Sequence, residues 1–104
     1  MGHLHYANLD SFEFDDSFLT HLRTVTLAKF ALQESFAFTW IAEERQRTIW
    51  LHPSVPLLFE FSESRTTDLN HEWVEHLLNL ANSPAGLRCG EEANPSRAEA
   101  SPGA

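Results

Sequence analysis

Ser35-Phe36-Ala37-Phe38-Thr39-Trp40-Ile41, Thr48-Ile49-Trp50-Leu51-His52 and Leu57-Leu58-Phe59-Glu60-Phe61 are the three runs whose reading decides the fold. Each alternates aromatic or β-branched residues at period two, the pattern of a half-buried strand. A charged turn separates the first two, and a corner punctuated by Pro53 and Pro56 separates the second from the third. The sequence therefore predicts three consecutive strands arranged as a meander. If Phe36, Phe38, Trp40, Ile49, Leu51, Leu57, Phe59 and Phe61 face the core, the far face still carries Ile41, Trp50 and Leu58 among Thr39, Thr48, His52 and Glu60. An antiparallel sheet covered on one side normally shows a cleaner alternation, and exposed aromatic clusters tend to mark interfaces. Ile41, Trp50, His52 and Leu58 are accordingly the candidate interaction surface, for a protein partner or a second copy.

Working outward, Leu4 and Tyr6 alternate with His3 and His5, and Phe12 and Phe14 with Ser11 and Glu13, around Asn8-Leu9-Asp10. This predicts a hairpin. At Asp15-Asp16-Ser17 the period changes, and either aspartate is suited to accept from the free amides of a first helical turn. The helix should run to about Leu32, burying Phe18, Leu19, Leu22, Val25, Phe30 and Leu32 and leaving His21, Arg23 and Thr24 outside. With Asp15 as cap, Phe14 and Leu19 stand at hydrophobic-staple positions. Lys29 falls inside the apolar stripe. It reads either as a desolvated nucleophile or as a lysine whose stem packs while its ammonium reaches the last carbonyls of the helix.

Leu69-Asn70-His71-Glu72-Trp73-Val74 predicts a second helix capped by Asn70, with Trp73, Val74, Leu77, Leu78, Leu80 and Ala81 inward. Pro84 and Gly86 end it, and Leu87-Arg88-Cys89 reads as a short returning strand. The expectation is an α+β domain over residues 1–89, a mainly antiparallel sheet of five to six strands in the order ββαβββαβ, with two helices packed on one face. From Gly90 onward no large hydrophobe occurs. Residues 90–104 are therefore expected to be a disordered acidic tail.

Composition narrows the function classes. The 104 residues hold fifteen acidic and seven basic side chains, a net charge of −8. Three of the carboxylates and one arginine lie beyond Gly90, so the body is itself acidic. Binding a phosphate backbone requires Lys and Arg, so nucleic acid is an unlikely partner. The single Cys89 allows no internal disulfide and fits a reducing, cytoplasmic setting. No apolar run approaches a membrane span. The pairs His3/His5 and Glu72/His76 supply at most two ligands each where zinc needs three or four, and no phosphate-binding glycine loop or Gly-x-Ser-x-Gly elbow occurs. The reading therefore assigns no catalytic residues, metal or cofactor.

One resemblance adds to this. A Met1-Gly2-x-Leu4 start, a helix ending in Lys29, Glu34-Ser35-Phe36 with Trp40, Trp50-Leu51-His52-Pro53, Leu69-Asn70-x-x-Trp73 and Ala81-Asn82-Ser83-Pro84-x-Gly86-Leu87 resemble a family of short uncharacterised actinobacterial proteins over roughly residues 1–90. Such proteins are often labelled ATP-dependent DNA ligases, so the resemblance implies a ligase or ligase-associated activity through Lys29 as the alternative function. Adenylation by such a ligase uses Lys-x-Asp-Gly, whereas Lys29 is followed by Phe30-Ala31-Leu32.

Overall fold

The computed structural model describes residues 1–7, 10–62 and 68–89. Its elements follow the predicted order: β1 (Gly2–Tyr6), β2 (Asp10–Phe14), α1 (Asp16–Ala31), β3 (Phe36–Ala42), β4 (Arg45–Leu51), β5 (Leu57–Glu60), α2 (His71–Ala81) and β6 (Leu87–Arg88). The class is α+β, with mostly antiparallel pairing. The expected tail falls outside the described residues. Among the described residues, no helix is long and apolar enough to cross a membrane.

The six strands divide between two three-stranded sheets, ordered β2-β1-β5 and β4-β3-β6. This corrects the meander. β3 and β4 form a hairpin in register from Phe36↔Leu51 to Ala42↔Arg45, but β5 leaves it and pairs antiparallel with β1, Tyr6↔Leu57 to His3↔Glu60. The cause lies in the corner. Pro53 and Pro56 have no amide to give to a ladder. His52 closes a turn there, its carbonyl accepting from Val55 N–H at 2.9 Å and its Nδ1 from Ser54 N–H at 3.0 Å. The Ala7 amide then donates to the Pro56 carbonyl at 2.8 Å, which joins the end of β1 to the start of β5.

α1 begins as the sequence predicts: the Asp15 carboxylate accepts from Ser17 and Phe18 N–H at 3.1 and 3.4 Å. Phe18, Leu19, Leu22 and Val25 are buried completely. Two positions depart from the predicted stripe. Leu32 is the C-cap, beyond the last helical turn, and is exposed; His21 is buried. α2 starts at Asn70, whose side chain accepts from Trp73 N–H at 3.1 Å. Trp73, Leu77 and Ala81 are its buried residues.

The two helices pack on each other, α1 against β1 and α2 against β3 and β6. The inner faces of the two sheets meet through aromatic rings, Phe12 and Phe14 from β2 against Phe38 and Trp40 from β3, with centroids 4.9 to 5.8 Å apart. Such edge-on and tilted pairs add to the burial that stabilises the core. Gly86, at φ +80°, lets β6 run parallel to β3, for a Cβ there would lie 2.6 Å from the Ala37 carbonyl oxygen.

Candidate interaction surface

Strand alternation assigns each side chain of the β4-β3-β6 sheet to one of two faces. Phe36, Phe38, Trp40, Leu51 and Leu87 face the core and are buried. Ala37, Thr39 and Ile41 of β3, Gln46, Thr48 and Trp50 of β4, and Arg88 of β6 share the opposite face. Trp50 is 53% exposed and Ile41 38%. Thr39, at the middle of the central strand, is nearly covered, and its hydroxyl pairs with that of Thr48 at 2.8 Å. The strand residues of this face include one cation, Arg88, and no carboxylate, although the protein as a whole is acidic.

A shallow hollow of about 190 Å³ opens on the same face, lined by Thr39, Ile41, Gln46, Arg88 and Cys89. Its lining combines the apolar Ile41 and Cys89 with the polar Thr39 and Gln46 and the cationic Arg88. Cys89 is buried, and its amide donates to the Thr39 carbonyl at 2.8 Å. A second hollow of similar size lies where the two sheets meet, walled by Phe12, Trp40, Arg47, Glu13 and Glu43 among others. There the Arg47 guanidinium stands 6.0 Å from the centre of the Phe12 ring.

The four residues singled out from the sequence are not all on one sheet. Ile41 and Trp50 share the face just described. Leu58, 57% exposed, belongs to β5 and lies on the outer face of the other sheet, beside His5. His52 is half-buried in the corner after β4. Around Leu58, His3 and His5 of β1 project with Glu13 of β2 and Glu60 of β5; His5 Nε2 is 2.8 Å from Glu60 Oε1, and His3 Nε2 is 4.0 Å from Glu13 Oε2. Among the described residues no group of three or more His, Cys, Asp or Glu side chains converges as metal ligands.

Lys29 is buried where α1 ends. Its ammonium donates to Glu34 Oε1 at 2.9 Å and to the Asn82 side-chain oxygen at 2.5 Å. Asn82 caps the end of α2, so this lysine ties the C-terminal ends of both helices together. Neither hollow described above is lined by Lys29.

One buried polar residue has a role that the sequence reading missed. The His21 ring lies 4.3 Å from that of Trp73, and its two nitrogens bridge the helices. Asn70 N–H donates to Nε2 at 2.8 Å, so the ring proton sits on Nδ1, which donates to the Ser17 carbonyl at 2.6 Å. Positions 18, 21, 22, 25 and 29 form one i, i+3, i+4, i+7 stripe, and that spacing alone would have placed His21 inward.

The sequence matches the Domain of unknown function (DUF7882) over residues 1–92. The chain belongs to this family. No curated protein and no solved structure matches it. For this DUF7882 domain, functional argument therefore rests on its own two outer sheet faces and on what each can contact.

Proposed function

We propose that the domain is a non-enzymatic interaction module that self-associates through the outer face of the β4-β3-β6 sheet. The observation that carries this reading is the exposure of Trp50 and Ile41, at opposite ends of the β3–β4 hairpin, on one face whose strand residues include no carboxylate. A tryptophan half in water is a large unburied apolar area, and tryptophan is among the residues that dominate binding energy when an interface covers them. Arg88 on the edge strand β6 and Trp50 on the edge strand β4 flank the Thr39–Thr48 pair, so the face offers apolar, polar and cationic contacts to a partner.

The experiment is light scattering of the purified domain over a wide concentration range, with Trp50→Glu beside the wild type. The wild type is expected to gain mass with concentration, and Trp50→Glu to remain a monomer with an unchanged circular dichroism spectrum. A wild type that stays monomeric throughout contradicts the proposal.

A further inference from the structure

The two outer faces differ in the sign of their fixed charge, Glu13 and Glu60 on one and Arg88 on the other. The face of the β2-β1-β5 sheet carries an exposed Leu58 with Glu60 beyond it on β5 and Glu13 on the far strand β2, the two carboxylates lying near His5 and His3. The face of the β4-β3-β6 sheet carries Arg88 in the lining of a hollow. Pairing two copies through like faces gives Arg88 no carboxylate to meet. Pairing unlike faces sets opposite charges together.

We infer that the partner of the Trp50 face is a second copy of this chain, docking head to tail. Leu58 of one copy enters the hollow lined by Ile41, Thr39, Gln46, Arg88 and Cys89 of the next, and Glu60 meets Arg88. This deepens the self-association proposed above and rests on it. The sizes agree: a leucine side chain is smaller than the hollow of about 190 Å³. The spacing agrees as well. Leu58 and Glu60 are two residues apart on one strand, hence on one face and about 7 Å apart. His5 Nε2 engages Oε1 of Glu60, whose side chain is largely exposed and so within reach of the arginine of the neighbouring copy. Because knob and hollow belong to different sheets, the contact is heterologous, and repeated copies form a closed ring or an open chain.

Two exposed substitutions test this, Leu58→Glu to remove the knob and Arg88→Glu to spoil the hollow, with circular dichroism and thermal melting confirming that each variant is folded. Each alone is expected to weaken association about tenfold or more. Mixed in equal amounts, they are expected to give a 1:1 dimer in sedimentation velocity that does not grow, since one intact hollow meets one intact knob. The chain carrying both Glu60→Arg and Arg88→Glu is expected to regain association that Arg88→Glu alone loses. If Leu58→Glu and Glu60→Arg associate as well as the wild type while Trp50→Glu does not, the head-to-tail partner face is wrong and the Trp50 contact stands. A mixture that stays monomeric, or that grows beyond a dimer, also overturns the head-to-tail contact. A monomeric wild type removes both proposals.

Discussion

His21 and Asn70 are joined by a hydrogen bond in which the backbone amide of the residue capping α2 donates to a buried imidazole of α1 at 2.8 Å. The first turn of a helix has amides without intrahelical partners, and here the cap residue itself is anchored to the neighbouring helix. Replacing His21 with Phe keeps most of the volume but takes the acceptor from the Asn70 amide, while the Ser17 carbonyl keeps its donor in the helical ladder. The bond is part-buried and Asn70 is exposed, so its loss costs about 1 kcal/mol, the low end for an unsatisfied group. His21→Phe should lower stability by about that amount in urea melts, and hydrogen exchange in the first turn of α2 should accelerate before that of α1.

Asp16 gives the fold a dependence on acid. The Ser62 hydroxyl donates to its carboxylate at 2.6 Å, which together with the N-terminal ammonium 3.8 Å away holds the carboxyl below its usual value against the opposing effect of burial. A carboxyl depressed in the folded state contributes stability above its unfolded value of about 3.9, and the contribution is lost as pH falls through the folded value. Asp16→Asn should therefore melt at a lower temperature than the wild type at pH 7, and the two should converge as the pH falls below the depressed folded value.

The β3–β4 turn contains an avoidable strain. Glu43 and Glu44 sit at φ 52° and 62°, the left-handed pair required by a two-residue type I′ turn. Asn-Gly adopts that shape at least cost, whereas other side chains in this region lose on the order of 1 kcal/mol each. The double change Glu43→Asn, Glu44→Gly should raise stability by about 1–2 kcal/mol, read as a higher urea midpoint at unchanged slope.

Lys29 separates a structural from a chemical role. Glu34 is half-exposed, so losing its ion pair leaves no deeply buried charge behind. Lys29→Met preserves the packed stem and should shift stability by less than about 1.5 kcal/mol, whereas Lys29→Ala should cost about 2–4 kcal/mol through the lost packing. Incubation with labelled ATP should leave no covalent adenylate on the wild type. An adenylate that disappears in Lys29→Met would restore the ligase reading.

The helix ends were legible because their signals are local. Asp15 and Asn70 each accept from amides two or three residues away, a relation that sequence spacing contains in full. Strand partners are not local in this way. Leu57 to Glu60 has the same alternation whether it joins β4 or β1, and the choice is made by the prolines that turn the chain and by the Ala7–Pro56 hydrogen bond, which joins residues far apart in sequence. For the same reason Leu58 was read onto the sheet of Trp50. His21 differs in kind: burying an imidazole requires partners, and one of them is an amide of α2 that no local spacing reveals.

Acrylamide quenching of tryptophan fluorescence along a dilution series tests the interaction surface most directly. Trp40 and Trp73 are only 3% and 9% exposed, so the quencher-accessible signal belongs to Trp50. The account predicts that this accessible fraction falls as concentration rises and the domain associates, and returns on dilution. An accessible fraction that stays constant while the mass increases would place Trp50 outside the contact and contradict it.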